Sequence, residues 1–294
     1  MNVKSVLSIY FELIKAKQTL LLLYTAVFSY LITIVEFSRS FNWVTFLFLV
    51  LSLFLAISGT TLMNMYIDKD IDAIMERTKN RPIPSGRVSP LTVLINGLII
   101  IFLGILIAFI FLDLLTTLVI FLGFFFDVII YSILLKKRTK FSIIFGGIAG
   151  GLPALAGRTV ILGRLDWIGL LFLIFILAWI PVHILTLALI PKNYEGYKEA
   201  KVPMWPVVSS KTQTMRVIAI GAFISSIILY EIAQIQDSNA YIRIIITVCS
   251  GSLIILVIKN LIKPSHKITF LIFKIASLYM IIGFLLIYLG VIFS

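Results

Sequence analysis

The sequence has little of the chemistry by which soluble proteins stabilise a fold or hold a transition metal. Its 294 residues include 1 cysteine, Cys249, and 2 histidines, which excludes an intrachain disulfide and a cysteine metal cluster. Charged residues make up 13% of the chain and apolar residues 61%, whereas soluble domains average about 25% charged and about 45–50% apolar. So few charges cannot cover the surface of a soluble protein, and the composition therefore indicates a membrane protein.

Acidic residues are scarce relative to basic ones. The chain has 13 Asp and Glu against 25 Lys and Arg, which gives a formal net charge of +12. In a soluble protein this excess would suggest nucleic acid as a partner. In a membrane protein it instead sets the orientation, because Lys and Arg collect in cytoplasmic loops. We therefore expect the lipid bilayer as a partner and no nucleic acid.

Long apolar runs fill most of the chain. A spanning helix needs about 20 mostly apolar residues to cross a hydrocarbon core of about 30 Å. The breaks between runs are short, so we predict an all-α polytopic membrane protein with about nine transmembrane helices in one bundle, a single domain over 1–294. Residues 1–18 are predicted to form an amphipathic helix on the membrane surface. The predicted spans are 19–35, 43–63, 91–112, 114–134, 141–162, 167–190, 215–233, 241–258 and 268–292.

The basic residues sort onto one side of this topology. With the N-terminus inside, every Lys and Arg falls on the cytoplasmic side except Arg39, Arg158, Arg164 and Arg243. The positive-inside rule thus predicts a multi-pass protein of the cell membrane with a cytoplasmic N-terminus. Three polar segments, 64–90, 135–140 and 191–211, then share the cytoplasmic face. We expect the catalytic residues in these loops, because loops on a rigid scaffold commonly carry function.

An acidic stripe opens the first of these segments. Asn64, Asp68 and Asp72 are four residues apart, so on a helix they share one face, while Asp70 points away. Two carboxylates at this spacing repel each other unless a cation lies between them. Mg²⁺ suits the position, because it takes one or two carboxylates and completes its shell with water and phosphate oxygens. The alternative is a solvated helix end whose acids pair with Lys69, Arg77 or Lys79.

A basic run from Arg77 to Arg87 follows the stripe at once. Guanidinium groups bind phosphate oxygens in pairs, so carboxylates beside arginines favour a site for a metal-bound diphosphate. The stripe also lies at a membrane boundary, where ionisable groups are costly and usually functional.

Several blocks of the sequence resemble the UbiA-type intramembrane prenyltransferases. Asn64-x-x-x-Asp68-x-x-x-Asp72, followed by Arg81-Pro-Ile-Pro-Ser-Gly86, is similar to the first signature of that superfamily. Further similarity, from about 10 to 208, points to its protoheme IX farnesyltransferase (haem O synthase) branch. The segments that carry it are 64–82, 131–139, 146–153, 181–183 and 202–208.

The resemblance implies a helical bundle around a central cavity and a Mg²⁺-dependent reaction that ionises a prenyl diphosphate. A farnesyl or similar prenyl group would pass to a vinyl group of haem B, giving haem O. Catalytic roles are implied for Asp68, Asp72, Lys136 and Tyr131, and metal ligation for Asn64, Asp68 and Asp72. Substrate contacts are implied for Lys15, Arg77, Asn80, Arg81, Lys137, Arg138 and His183. Without the resemblance, the 136–138 cluster would be an ordinary positive-inside anchor and Tyr131 a packing aromatic.

The chain departs from the family pattern in the loop between the sixth and seventh spans. It has Gly196 where the branch tends to have an aspartate. Glu195 and Glu199, four residues apart, form either a second, weaker metal site or a salt-bridged surface turn.

Among the ionisable residues inside predicted spans, two are candidates for a functional role. Asp127 is an intramembrane carboxylate and therefore a functional candidate, which α-helical spacing places on the same face as Tyr131. His183 is either a buried, hydrogen-bonded residue or a contact to the acceptor, through haem iron or a propionate. The branch usually has Pro-Pro-His-Phe-Trp here, whereas this chain keeps the imidazole and loses the aromatics after it.

Two other functions stay open at this point. One is a UbiA-type prenyltransferase that acts on a quinone precursor or an archaeal-type lipid acceptor. The other is a membrane transporter with an acidic ion site. Transporters usually show internal repeats and ionisable residues at the bilayer midplane, whereas this chain gathers its charges at one rim.

Overall fold

The computed structural model describes residues 3–294, with side chains from Ser8 onward, and every regular element in that range is a helix. Met1, Asn2 and the side chain of Lys4, which belong to the predicted lead-in, lie outside the described residues. The α-helices are α1 Val3–Leu13, α2 Ala16–Glu36, α3 Trp43–Ile67, α4 Lys69–Ile74, α5 Pro90–Phe111, α6 Leu114–Phe124, α7 Ser142–Leu162, α8 Trp167–Ala188, α9 Pro191–Glu199, α10 Trp205–Val208, α11 Lys211–Ile235, α12 Ala240–Ile262 and α13 His266–Ile292. A π-helix, Phe125–Leu135, stands between α6 and α7.

The described part of the chain contains 9 helices long and apolar enough to cross a membrane, which confirms the predicted number. They are α2, α3, α5, α6 with the π-helix, α7, α8, α11, α12 and α13. Their ends lie close to the predicted ones; α3, for example, continues to Ile67 instead of ending at Met63. Short helices α4, α9 and α10 occupy segments that the sequence predicts as loops. The cytoplasmic placement of the N-terminus stays a prediction.

The fourth span is not a regular α-helix, which corrects the spacing assumed from the sequence. After Phe124 the chain continues as a π-helix, and the amide of Lys136 donates to the carbonyl of Tyr131, five residues back, at 2.8 Å. The wider turn brings residues five apart within reach of one partner. Asp127 and Ser132 both contact Asn64 in this way. Segments of π-helix are rare and often mark functional sites.

Helix α8 lies at the centre of the largest hydrophobic cluster. Its Phe172 and Phe175 are buried, and their rings pack on Phe284 of α13 at centroid distances of 5.0 and 6.0 Å. On the other side of the molecule, α3 and α5 approach closely at a glycine. A side chain at Gly104 would lie 2.7 Å from the backbone nitrogen of Ala56. Small residues commonly permit such contacts between membrane helices.

A buried ion network fastens the end of the bundle opposite the acidic stripe. The side chain of Arg158, 1% exposed, donates to Glu36 at 2.6 and 3.0 Å and to Asp166 at 2.7 and 2.6 Å. Gln236 donates to Glu36 at 3.0 Å. An arginine within a membrane span is costly unless it is paired, and here one side chain joins α2, α7 and the start of α8.

Replacing Arg158 with methionine should destabilise the protein, because Glu36 and Asp166 lose the charge that compensates them. Breaking a buried ion pair typically costs about 3–5 kcal/mol. We expect a lower thermal unfolding midpoint in detergent, measured by tryptophan fluorescence. The triple variant Arg158→Met, Glu36→Gln, Asp166→Asn removes every charge and should recover most of the loss. An unchanged midpoint for Arg158→Met would contradict the stabilising role.

Candidate functional site

The acidic stripe lies where the second span ends. Helix α3 ends at Ile67 and α4 begins after Asp68, so the helix is interrupted rather than continuous. Backbone hydrogen bonds preserve the four-residue spacing, because the amide of Asp68 donates to Asn64 at 2.9 Å and that of Asp72 to Asp68 at 2.8 Å. Asn64, Asp68 and Asp72 are consequently buried on one face, while Asp70 is exposed.

Each carboxylate of the stripe is paired with a base from another part of the chain. Arg81 donates to both oxygens of Asp72, at 2.8 and 2.7 Å. Lys136, which follows the π-helix, forms an ion pair with Asp68. These are not the partners that the surface alternative named, since Lys79 pairs with Glu76 at 2.5 Å instead. Both acids are buried, so removal of either base would leave a charge without compensation.

The ammonium group of Lys136 stays protonated in this setting. Burial alone lowers the pKa of the group, but the neighbouring Tyr131 and Asp68 act in the opposite direction and raise it above its usual value. Lys136 is therefore a permanent positive charge beside Asp68.

Asn64 is held by two side chains of the π-helix. Its amide nitrogen donates to the Oδ2 atom of Asp127 at 3.0 Å, and its Oδ1 atom accepts from Ser132 at 2.8 Å. The amide orientation is thereby fixed. Asp127 lies in the site, as the intramembrane carboxylate suggested. The sequence does not predict the contact of Ser132 with Asn64, because only the position of this serine beside Tyr131 distinguishes it from other serines in the chain.

Tyr131 is packed between a glycine and a charge. A Cβ atom at Gly146 of α7 would lie 3.1 Å from the tyrosine ring, so the ring packs closely against the glycine. The ammonium of Lys136 stands 5.4 Å from the ring centroid, within the range of a cation–π contact. One face of the ring thus borders the charged rim.

Lys15 reaches the site from the turn between α1 and α2. Its backbone has φ 46°, in the left-handed region that residues other than glycine seldom adopt. Burial lowers the pKa of its ammonium group from 10.5 to about 8. The charges of Arg81 and Lys136 add to this lowering, while Asp68 and Asp127 oppose it. Lys15 is therefore a base whose charge changes within an accessible pH range.

Helix α1 is fastened over the first loop. Arg87 donates to both oxygens of Glu12 at 2.9 and 2.6 Å, and this hydrogen bonding lowers the pKa of the glutamate. Ile9 and Leu13 are buried against Leu62 in the same corner of the molecule. The contacts fix the turn that carries Lys15.

Other predicted residues lie at the rim and not in the buried cluster. Glu195 and Glu199 are exposed on α9, whose buried Gly196 faces Met75. Neither glutamate forms an ion pair in the described part of the chain, where Lys192 approaches Glu76 instead. The salt bridges of the predicted surface turn are therefore not observed, and the second metal site stays a prediction. Of the predicted substrate contacts, Arg77, Asn80, Lys137 and Arg138 are exposed.

His183 lies apart from the acidic stripe, on the side of α8 that faces α13. Its Nδ1 atom is 3.2 Å from the hydroxyl of Ser277. The ring stacks between Trp179 and Phe273, with both centroid distances 4.7 Å. The aromatic neighbours that are missing immediately after His183 in the sequence are thus supplied by other positions.

The oxygens of the stripe suit a divalent cation. The Oδ1 atom of Asp68 is buried and has no hydrogen-bond partner in the described part of the chain. Buried polar atoms are almost always paired, so this oxygen is available to a ligand. Asp68, Asp72 and Asn64 offer carboxylate and amide oxygens, the donors that Mg²⁺ prefers, and leave part of its shell to water or phosphate.

The bundle of membrane helices and the buried acids and bases at one rim define a polytopic membrane protein with a charged, metal-compatible site. The chain belongs to the UbiA prenyltransferase family, whose model matches residues 22–278. Protoheme IX farnesyltransferase of Hyperthermus butylicus is 39% identical over 239 residues, 81% of this chain and 78% of the relative. The protein of the same name from Archaeoglobus fulgidus is 33% identical over 95% of this chain and 96% of its own length.

Solved structures share the fold. A structure of digeranylgeranylglyceryl phosphate synthase matches with a TM-score of 0.79 at 20% identity, over 97% of this chain and 98% of its own. A UbiA homologue from Archaeoglobus fulgidus, solved with GPP and Mg²⁺ bound, matches with a TM-score of 0.71 at 15% identity, over 95% of this chain and 99% of its own. At these identities the likeness establishes the architecture.

Binding of a diphosphate should weaken as the pH rises above about 8, the pKa of Lys15. The lysine is charged below that pH and neutral above it, and an anionic ligand favours the charged form, so binding raises the pKa. Affinity should then fall by up to about tenfold per pH unit until the pKa of the complex is reached. Calorimetric titration with Mg²⁺ and inorganic pyrophosphate measures the effect. Lys15→Arg, whose guanidinium stays charged, should abolish the dependence, and an unaltered profile would contradict it.

Proposed function

We propose that this chain transfers a farnesyl group from farnesyl diphosphate to a vinyl group of haem B, giving haem O. The observation that carries the proposal is the kinship with protoheme IX farnesyltransferases, which extends to 39% identity over 81% of the chain. The buried acids and bases at one rim support a reaction that begins with a prenyl diphosphate.

The diphosphate is held by side chains that already face one another. Lys136, Arg81 and Lys15 donate to phosphate oxygens, and the arginine is suited to a bidentate contact. Asn64, Asp68 and Asp72 would hold Mg²⁺, which would neutralise part of the charge on the diphosphate. A UbiA homologue of the same fold, solved with GPP and Mg²⁺ bound, supports the combination of a prenyl diphosphate with Mg²⁺.

The chemistry then proceeds through an allylic cation. The bond between C1 of the farnesyl group and the diphosphate oxygen breaks, and the electron pair leaves with the diphosphate. Lys136 and Arg81 are already placed beside the diphosphate, so their positive charges stabilise the negative charge that develops on it. The face of Tyr131 stabilises the cation that remains. C1 forms a bond to the terminal vinyl carbon of haem B, and water adds to the other vinyl carbon and loses a proton.

The remaining assignments follow from this proposal. The whole chain, 1–294, forms one catalytic domain in the cell membrane, with its loops 64–90, 135–140 and 191–211 on the cytoplasmic side. Asp127 contacts the substrate near Asn64, and His183 contacts the haem. At the rim, Arg77, Asn80, Lys137 and Arg138 guide the diphosphate, while Glu195 and Glu199 offer a second, weaker Mg²⁺ site.

The product identifies the reaction. Purified protein in detergent is incubated with farnesyl diphosphate, Mg²⁺ and haem B, and the haem is analysed by mass spectrometry. The expected product carries one farnesyl group and one added water. Parallel reactions contain 4-hydroxybenzoate or geranylgeranylglyceryl phosphate as acceptor. Unmodified haem together with prenylation of either alternative would overturn the haem assignment.

Asp68→Asn and Asp72→Asn should each abolish prenyl transfer while the protein stays folded. The amide keeps the shape of the side chain but loses the charge that a Mg²⁺ ligand supplies. Steady-state rates should fall by about 10²-fold or more, in line with the loss of a principal electrostatic contact. Asp70→Asn, at the exposed neighbour, is the control. If either variant turned over at close to the rate of the unaltered protein, the substituted aspartate would not be a metal ligand.

Lys136→Ala should weaken binding of farnesyl diphosphate by about 10- to 100-fold, since a hydrogen bond to a charged group contributes about 1.5–3 kcal/mol. Lys140→Ala is the matched control, because Lys140 bonds to Ser209 at 2.8 Å and not to the acids. Calorimetry measures both variants. Equal affinities of the two variants would indicate that Lys136 only helps to orient the protein in the membrane.

A further inference from the structure

The π-helix of the fourth span directs two hydrogen-bonding side chains at one partner. In an α-helix each residue turns the chain by about 100°, so residues five apart point about 140° away from each other. A π-helix pairs residues five apart, as the hydrogen bond from the amide of Lys136 to the carbonyl of Tyr131 shows. Asp127 and Ser132 are five apart, and both contact Asn64 of α3. A regular α-helix in this span would direct at most one of them at Asn64.

The carboxylate of Asp127 determines which way round the amide of Asn64 lies. The amide nitrogen of Asn64 donates to the Oδ2 atom of Asp127 at 3.0 Å, and the hydroxyl of Ser132 donates to the Oδ1 atom of Asn64 at 2.8 Å. A hydroxyl can donate or accept, so Ser132 would suit either orientation of the amide. An ionised carboxylate can only accept, so it must face the nitrogen. Asp127 therefore excludes the reversed amide, which would bring two negatively polarised oxygens together.

The amide oxygen of Asn64 keeps one acceptor position after these contacts. A carbonyl oxygen has two lone pairs, and Ser132 occupies one of them. One helical turn later, the buried Oδ1 atom of Asp68 has no hydrogen-bond partner within residues 3–294. The Oδ1 atoms of Asn64 and Asp68 are thus acceptors that the hydrogen bonds of the stripe leave for a cation.

The negative charge of Asp127 does more than the orientation of Asn64 requires. Asp127 lies within a span, where a carboxylate is costly, and no lysine or arginine forms an ion pair with it among the side chains from Ser8 onward. A neutral amide could accept the same hydrogen bond with a smaller desolvation penalty. A charged acceptor, however, polarises the conjugated amide and increases the negative charge on its oxygen. That increase strengthens the oxygen as a ligand for a hard cation.

We propose that Asp127 and Ser132 are positioning residues that act on the Mg²⁺ site through Asn64. Asp127 fixes the orientation of the amide and polarises it, and Ser132 holds the amide oxygen in place. Hydrogen-bond partners of metal ligands commonly have this role, and their loss typically weakens metal binding by about 10- to 100-fold. The inference rests on the proposed function in one respect, because it assumes that Asn64 is a ligand of Mg²⁺.

Binding of Mn²⁺ in place of Mg²⁺ tests the proposal without any prenyl transfer, since both cations suit a site of oxygen ligands. The purified full-length protein in detergent is dialysed to equilibrium against Mn²⁺ and inorganic pyrophosphate. Electron paramagnetic resonance then measures the excess Mn²⁺ in the protein chamber. Asp127→Asn keeps an acceptor but removes the charge, and it should weaken Mn²⁺ binding by about tenfold. Asp70→Asn removes an exposed charge from the same segment and should have little effect.

A double-mutant cycle separates action through Asn64 from a direct effect of the charge on the cation. In an Asn64→Ala background, Asp127→Asn should change Mn²⁺ affinity by less than about twofold, because the residue that transmits the effect is gone. An equal loss of affinity in both backgrounds would overturn the proposal, since Asp127 would then act on the cation directly.

Variants of Ser132 provide a test that leaves Asn64 and Asp127 in place. Ser132→Ala should weaken Mn²⁺ binding several-fold, and Ser132→Thr, which keeps the hydroxyl, should restore it. Thermal unfolding separates this role from a structural one. For both Ser132→Ala and Asp127→Asn, the rise in the unfolding midpoint on addition of Mn²⁺ and pyrophosphate should be smaller than in the unaltered protein. A purely structural role would lower the midpoint without metal and leave that rise unchanged.

The same titrations distinguish failure of this inference from failure of the proposed function. Full Mn²⁺ affinity in Asp127→Asn and Ser132→Ala, together with a loss in Asp68→Asn, would overturn the positioning role and leave the metal site in place. Full affinity in Asp68→Asn as well would remove the Mg²⁺ site of the proposed function together with this inference.

Discussion

The site depends on the pairing of buried acids with bases that come from distant parts of the chain. Asp68 at the end of α3 is compensated by Lys136 beyond the π-helix, and Asp72 by Arg81 at the far side of the first loop. A carboxylate buried at a membrane boundary cannot remain charged alone. The loops are therefore folded against the bundle by the same charges that give the site its chemistry.

This pairing also explains why a diphosphate and a dication belong together here. Asp68 and Asp72 are matched by Lys136 and Arg81, so these two pairs are close to neutral before any ligand arrives. A diphosphate alone would add an excess of negative charge to a partly buried site. Mg²⁺ held by the carboxylates would restore the balance and would leave the bases free for the phosphate oxygens.

The spans and the acidic stripe were predictable because each rests on a local property. Apolar runs of sufficient length mark a spanning helix. A four-residue spacing places Asn64, Asp68 and Asp72 on one face wherever the backbone stays near helical. Lys136 was found through family resemblance, since its composition alone is that of any cytoplasmic anchor.

Other features could not be read from the sequence, because they depend on distant contacts. Nothing in segment 125–135 distinguishes a π-helix from an α-helix, so the joint hold of Asp127 and Ser132 on Asn64 was hidden. The left-handed backbone of Lys15 follows from how α1 docks, not from a glycine. Two partners of His183, Phe273 and Ser277, lie on α13, about 90 residues later in the sequence, so no local pattern connects them with the histidine.

The network around Arg158 has a mechanical consequence. It fastens α2, α7, α8 and, through Gln236, the end of α11 at the pole of the bundle farthest from the acidic stripe. Helices joined at one pole can separate only by pivoting about it, so displacement grows toward the opposite pole. Movement of these helices relative to one another should therefore be largest beside the charged rim and smallest near Arg158.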